Sequence, residues 1–338
     1  MHGNECTARA HANIALIKYW GKRDQERNIP AVGSISMTLD ALHTTTTLRF
    51  DESLSQDRLI LNEEEATANQ LNRVTSFLDL VRDRADLSIR AHIRSVNNFP
   101  TGAGLASSAS GFAALTLAAT GAAGLDLNRE ELSALARRGS GSAARSIFGG
   151  FVEMFPEKQI AAADSKEEQT DAFAVQLYDE SYWDIRLLVL ILSEEEKTYS
   201  SREGMTISAD TSPYYNAWME TSPQDLAEMR DALQIRNFEK TGELSEYSCL
   251  KMHALTMSSR PGILYWQPGT LSVIHAVRDL RSQGIPAYFT IDAGPQVKVL
   301  CLPEQQEQII TALRDIPDVL EIIPAQPGPD AKIREDAP

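Results

Sequence analysis

The sequence predicts an α+β protein built from two domains. Three observations carry that expectation. The chain has 338 residues, beyond the size at which one hydrophobic core usually suffices. Its first half mixes β-branched segments with alanine-rich helical ones in no regular alternation. Its second half ends in the succession strand, helix, strand, strand, helix, strand, the split βαβ order of a ferredoxin-like sheet. The boundary is expected just before Trp183: residues 1–182 form the first domain and 183–328 the second, with 329–338, rich in proline and charge, as a frayed tail.

In the first domain, residues 8–19 read as an extended segment entering a polar turn at 21–24. Residues 44–50 and 91–96 are rich in β-branched side chains and predict strands. Residues 113–120 are mostly small, which predicts a helix packed closely against its neighbours. Asn128 with Glu131 three residues on is a helix start, and Gly139 a helix stop. Residues 161–169 are polar and charged, as in a surface loop. In the second domain, 183–192 is a near-continuous apolar run, the pattern of a strand buried on both faces. Helical patterns follow over 223–234 and 244–258, then a helix capped by Thr270 and ended by Gly284. A strand at 287–291, a turn at 292–295, a strand at 296–302, a helix at 304–314 and a strand at 319–323 complete it.

Composition excludes several classes of function. Hydrophobic residues at 43% and charged residues at 23% are ordinary for a soluble protein. The three cysteines are far apart and lack CxxC spacing, against a disulfide framework or a zinc site and in favour of a reducing compartment. Polar groups run throughout residues 1–20, so no signal peptide is expected, and the longest apolar run is too short to span a bilayer. A cytoplasmic protein is the expectation, and a homodimer is the default assembly. The net charge of −15 argues against nucleic acid and anionic membranes as partners. An anionic ligand then requires a local cluster of cations, effective because charges beyond about 8 Å are screened.

The most informative segment is Asn-Phe-Pro-Thr-Gly-Ala-Gly-Leu-Ala-Ser-Ser at 98–108, which opens into the alanine-rich helix. Gly102 and Gly104 leave room for a ligand, and the helix start offers unpaired N–H groups to a phosphate. Ser107 and Ser108 add hydroxyls for phosphate oxygens or Mg²⁺. No Gly-Lys-Ser/Thr follows, so this is not a Walker A loop, and Ser107 replaces the third glycine of a dinucleotide fingerprint. The alternative is an ordinary strand-to-helix turn.

Four further clusters carry chemistry. Lys18 interrupts an apolar run ahead of Tyr19, Trp20 and Lys22, and a lysine among hydrophobes needs an anionic partner unless it snorkels. A flexible hydroxyl-bearing loop holds Ser140 and Ser142 and ends at Arg145, whose planar fork matches a carboxylate. Lys197, Ser201 and Arg202 follow the buried strand, in what is otherwise a solvated polar loop. Asp292 ends a strand in an Asp-Ala-Gly-Pro turn, as a turn former or as a catalytic carboxylate facing the phosphate loop.

Taken together, residues 13–22, 100–108, 140–145, 201–202 and 292–295 resemble the mevalonate diphosphate decarboxylases, of the superfamily that includes galactokinase, homoserine kinase and mevalonate kinase. The Asn-Ile-Ala-Leu-Ile-Lys-Tyr-Trp-Gly-Lys start and the Ser-Gly-Ser-Ala-x-Arg loop point to the decarboxylase branch. The resemblance implies a GHMP-kinase fold, with an N-terminal domain like domain 2 of ribosomal protein S5 and a ferredoxin-like C-terminal domain. It implies conversion of mevalonate 5-diphosphate and ATP, with Mg²⁺, to isopentenyl diphosphate, ADP, phosphate and CO₂. Asp292, Lys18 and Arg145 are then the catalytic set, with Arg145 on the substrate carboxylate. Tyr19, Lys22, Ser140, Ser142, Ser201 and Arg202 bind the substrate. Asn98, Pro100, Gly102, Ala103, Gly104, Leu105, Ala106, Ser107 and Ser108 hold the nucleotide, with Ser107 toward Mg²⁺. Gly102 stands where many relatives have alanine, and Gln296 where asparagine is common. The rival readings are decarboxylation of the monophosphate, a kinase that stops after phosphorylating C3, and a catalytically silent nucleotide sensor.

Overall fold

The structure, a computed structural model, describes residues 5–99, 107–156, 158–160, 169–193, 195 and 197–334. Strand β1 (Cys6–Ile17), in which small and aliphatic residues predominate, is buried at all but one position. It runs antiparallel to the 17-residue β4 (Ser34–Phe50). Between them β2 (Lys22–Asp24) and β3 (Ile29–Pro30) form a small hairpin where a plain turn is expected. Strand β4 begins ten residues before the predicted 44–50, because its first half trades β-branched side chains for Ser34 and Ser36, whose hydroxyls have a buried partner described below. Strands β5 (Arg58–Leu61), β6 (Glu64–Glu65), β7 (Ala91–Asn97) and β8 (Phe151–Met154) extend this sheet. A separate hairpin joins β9 (Lys158–Ile160) to β10 (Gln169–Asp171), and the expected loop between them lies outside the described residues. With β11 (Ala174–Tyr178) the sheet order is β11-β8-β4-β7-β5-β6, β1 lying on β4 as well.

Three helices cover this sheet: α1 (Ala68–Ala85), α2 (Ser107–Ala122) and α3 (Arg129–Gly139). Helix α2 places Ala109, Ala113, Ala114, Ala118 and Ala119 at zero exposure, so its small residues give close packing as the sequence implies. Helix α3 starts with a capping box: Asn128 accepts from Glu131 N at 3.0 Å, and Glu131 accepts from Asn128 N at 2.9 Å.

The second sheet holds β12 (Arg186–Ile191), β13 (Tyr288–Ile291), β14 (Val297–Cys301) and β15 (Glu321–Ala325) in the antiparallel order β13-β14-β12-β15. That is the split βαβ arrangement. Its helices are α4 (Ser201–Thr211), α5 (Tyr215–Gln234), α6 (Phe238–Met257), α7 (Pro268–Ser282) and α8 (Gln306–Arg314). Helix α5 starts two turns before the expected Pro223, anchored by buried Trp218, whose indole donates to Trp20 O at 3.1 Å. Helix α7 starts at Pro268, two residues before Thr270; the Thr270 hydroxyl helps cap it by accepting from Gln267 N at 3.1 Å, and also donates to Pro295 O at 2.9 Å, which steadies the Asp292 turn.

One apolar cluster joins the sheets, with Ile14, Leu16 and Met37 from the first against Leu187, Val189 and Leu300 from the second. The tail expected to fray does not do so through Arg334. Strand β16 (Lys332–Arg334) pairs with Thr7–Arg9 of β1, because the free edge of β1 offers backbone groups that need partners. Among the described residues no helix is long and apolar enough to cross a membrane.

Candidate active site

Strands β1 and β13 both end at one cleft, and the next residue of each enters it. Lys18 is 1% exposed, and its Nζ donates to Asp292 Oδ1 at 2.8 Å and to Ala15 O at 2.8 Å. On the other carboxylate oxygen, Lys298 Nζ of β14 lies 3.4 Å from Asp292 Oδ2. Burial alone raises the Asp292 carboxyl, but the Lys18 and Lys298 ammoniums outweigh it and hold the group well below the usual carboxylate range. Lys298 is a candidate site residue that sequence reasoning missed. Its signal was present: a lysine inside a strand buried on both faces has the same need for an anion that singled out Lys18.

Arg145 sits in the 3₁₀ turn Gly141–Ile147 and is 2% exposed. Its Nε donates to Asn13 Oδ1 at 3.1 Å and Ser36 Oγ at 3.0 Å, and its Nη1 donates to Ser34 Oγ at 2.6 Å. Burial brings the guanidinium down to about 10, still cationic at neutral pH. Among the described residues no carboxylate lies within ion-pair distance of it. A buried guanidinium held by neutral oxygens is suited to an anionic ligand.

The cleft has a volume of about 440 Å³. Among the described residues six cations line it (Lys18, Lys22, Arg73, Arg145, Lys197 and Arg202) against one carboxylate, Asp292. The overall charge of −15 is therefore reversed locally. Lys22 donates to Asn28 Oδ1 at 2.6 Å, and burial, with Arg202 and Arg73 nearby, brings its ammonium down to about 8. Among the described residues the buried Tyr19 hydroxyl finds no hydrogen-bond partner, and its phenol is pushed up to about 12 by burial. Gly141 makes room for it, since a Cβ there would lie 2.3 Å from Tyr19 Oη. Ser140, Ser142 and Ser201 line the same cleft.

Ser107 and Ser108, at the start of α2, line this cleft and a second one of about 310 Å³. The second is walled by Leu59, Ile93, Val74 and Phe112, with Ser95 and Asn97 as polar groups. Arg73 lines both clefts and lies 5.2 Å from the Phe112 ring, another residue sequence reasoning did not select. Asn98 is committed elsewhere: it accepts from His43 N at 2.7 Å and donates to Ala41 O at 2.7 Å, while neighbouring Asn97 lines the apolar cleft. Pro100, Gly102, Ala103, Gly104, Leu105 and Ala106 lie outside the described residues.

Two family models match this chain. Residues 10–167 match the diphosphomevalonate decarboxylase-like N-terminal domain, and residues 187–325 match the mevalonate 5-diphosphate decarboxylase C-terminal domain. The chain belongs to the mevalonate diphosphate decarboxylase family. The diphosphomevalonate decarboxylase of Homo sapiens is 36% identical over 326 residues, 91% of this chain and 79% of that protein. The phosphomevalonate decarboxylase of Haloferax volcanii is 35% identical over 312 residues, 92% of each chain. Among solved structures, the MDDEF complex with MVAPP, AMPPCP and magnesium superposes with a TM-score of 0.90 at 41% identity, covering 98% of this chain and 99% of that one.

Within this decarboxylase fold, Gln296 has a defined task despite its departure from the commoner asparagine. Its Oε1 accepts from Leu192 N at 2.5 Å, and its Nε2 donates to Ser193 O. The longer side chain ties the Asp292 turn to the end of β12, from which the chain runs on to Lys197 and Arg202.

Proposed function

We infer that the protein converts mevalonate 5-diphosphate and ATP to isopentenyl diphosphate, ADP, phosphate and CO₂. The observation that carries this reading is the meeting of Asp292, Lys18 and Arg145 in one cationic cleft that joins an apolar cleft at Ser107 and Ser108. The apolar cleft suits a base, and the helix start between the clefts suits its phosphates. The complex of a 41% identical structure with MVAPP and AMPPCP supports the same pairing of ligands.

The chemistry follows from the substrate. Its C3 hydroxyl is tertiary and a poor leaving group, so it is phosphorylated first. Phosphoryl transfer has a loose transition state, in which positioning and charge neutralisation supply most of the catalysis. Asp292, held ionised by two ammoniums, is a weak base. It orients the hydroxyl and takes its proton as the new P–O bond forms and the bond from the γ-phosphorus to the departing ADP breaks. Lys18 offsets the charge on the transferring group. The C3–O bond then breaks with its electron pair leaving on phosphate. The C–CO₂ pair closes the double bond, and CO₂ departs from beside Arg145. Mg²⁺ fits the donor set, since Ser107 offers a hard oxygen and phosphates supply the rest. Bound there, it would neutralise phosphate charge.

A second reading, decarboxylation of the 5-monophosphate, has the Haloferax volcanii relative in its favour. The distal cations Lys22, Arg73 and Arg202, with the unpartnered Tyr19 hydroxyl, favour the diphosphate. Incubating the protein with ATP, Mg²⁺ and either substrate, and measuring ADP and CO₂, separates the readings. ADP and CO₂ in equal amounts from the diphosphate are expected. ADP without CO₂ would make the protein a kinase. We further propose a cytoplasmic homodimer that does not bind nucleic acid, with its domain boundary near residue 182. Light scattering reads the dimer directly.

A further inference from the structure

Among the described residues β13 is an edge strand, so the N–H groups on its outer side have no neighbouring strand there. Helix α6 covers them with side chains. Glu246 Oε1 accepts from Phe289 N at 3.1 Å, and Cys249 Sγ accepts from Ile291 N at 3.2 Å while its thiol donates to Ile291 O at 3.5 Å. Two residues along a strand advance about 7 Å, whereas three along a helix advance about 4.5 Å. The long Glu246 side chain absorbs that difference. The short Cys249 side chain is left as the fixed point, one residue from Asp292.

The residue beside it holds the other partner. Ser248 is fully buried, and its Oγ accepts the Lys18 amide at 2.9 Å. Consecutive residues of one helix therefore grip the backbone at both members of an ion pair separated by 274 positions in the chain. We propose that Ser248 and Cys249 are positioning residues that set the Lys18–Asp292 separation and, through it, the rate of phosphoryl transfer. This rests on the decarboxylase reading above. An apolar residue at either position would pack as well but orphan a backbone N–H, and the strand end carrying Lys18 or Asp292 would move to recover a partner. At a reacting centre, displacement by about 1 Å costs about 100-fold in rate.

The test compares Ser248→Ala, Cys249→Ala and Cys249→Ser in the full chain, with kcat, KM for both substrates, affinity for a non-hydrolysable ATP analogue, and Tm. Ser248→Ala and Cys249→Ala are expected to lower kcat by about tenfold or more while each KM stays within about threefold. Cys249→Ser, which keeps an acceptor and a donor, should recover kcat to within about threefold of the parent. The double alanine variant should lose less than the product of the single losses, because both act on one distance. Parental kcat in both alanine variants overturns the proposal. So does an equal loss in Cys249→Ser, which would reduce the site to packing. If Cys249→Ala fails to fold, Ser248→Ala and the serine variant decide alone. Absence of CO₂ release from the parent protein would instead sink the functional reading, so the two failures are distinct.

Discussion

Replacing Lys298 by methionine isolates the electrostatic control of Asp292. Methionine keeps most of the unbranched stem of a fully buried side chain and removes only the charge. The Lys298 ammonium is 3.4 Å from Asp292 Oδ2, and two unit charges at that distance interact by about 5 kcal/mol at an effective dielectric of about 20. Lys18 remains on the other oxygen, and the carboxylate is 26% exposed to the cleft, so only part of that energy is realised. A loss of about 1.5–3 kcal/mol corresponds to a rise of about 1–2 units in the Asp292 pKa. The direction is fixed: burial raises this carboxyl and the two lysines lower it, so removing one lets burial gain.

The assay is the pH profile of kcat from about pH 6 down to about pH 2 at saturating substrates, the range into which a carboxyl held well below its ordinary value rises. Among the other groups facing Asp292, Cys249 is pushed up to about 11, chiefly by burial, and Arg145 stays charged, so neither titrates there. His253, brought down to about 3 by burial, is common to parent and variant, so the difference between the two profiles reports Asp292. Lys18 and Lys197 complete that set. The acid limb should move to higher pH. Stability tests the sign independently. A carboxyl depressed in the folded state contributes stability above its unfolded pKa of about 3.9, and loses it as pH falls through the folded value. At pH 7 Lys298→Met removes part of that contribution but also the desolvation of a second ammonium, so Tm should change little. An acid limb that stays in place, or moves down, refutes the reasoning.

Three further outcomes are expected. Asp292→Asn keeps the shape but not the charge and should lower turnover by at least about 10²–10⁴-fold while analogue affinity holds; turnover within tenfold of the parent in an ADP-release assay removes Asp292 from the chemistry. Arg145→Lys gives up the planar fork that serves Asn13, Ser34 and Ser36, so thermal unfolding should show a loss of about 1–3 kcal/mol and KM for the diphosphate should rise more than kcat falls. Lys22 lies below its ordinary value at about 8, so its charge carries a stability cost that is full below that pH and falls away as pH rises from there toward the ordinary lysine value. Its charge is what a phosphate binds. KM for the diphosphate should therefore rise from pH 7 to 9, and Lys22→Arg, charged throughout, should flatten that rise.

How much of the fold was legible depended on how local its causes are. The Asn128–Glu131 capping box, the apolar run of β12 and the alternation of β14 are written in adjacent residues, and the elements appear where those patterns are. The misplaced boundaries have distant causes. Helix α5 begins early because Trp218 finds Trp20 O, and Thr270 caps its helix from inside the first turn while also serving the Pro295 carbonyl. The C-terminal residues looked disordered because proline and charge dominate their composition. Composition carries no sign of the open edge of β1 more than 320 positions earlier, which pairs Thr7 with Arg334.

The site divides along the same line, and the division has a physical cause. The proposed ligand-binding residues were visible through their charge: burying a charge is expensive, so Lys18 within an apolar stretch signals a partner of opposite sign, and the planar fork of Arg145 at the end of a hydroxyl-bearing loop suits a carboxylate. That argument, applied consistently, would have reached Lys298 as well. It fails for Ser248 and Cys249, which are small, neutral and buried, and so look like ordinary helix packing. Their hydrogen bonds to Lys18 N and Ile291 N arise only because α6 lies against the ends of two strands from different sheets. A charged site advertises its ligands in sequence, whereas the neutral groups that fix its distances are defined only by the fold that brings them there. Variants of the second kind therefore offer the sharper test of the geometry: they leave every charge in the cleft in place and change only where two of them stand.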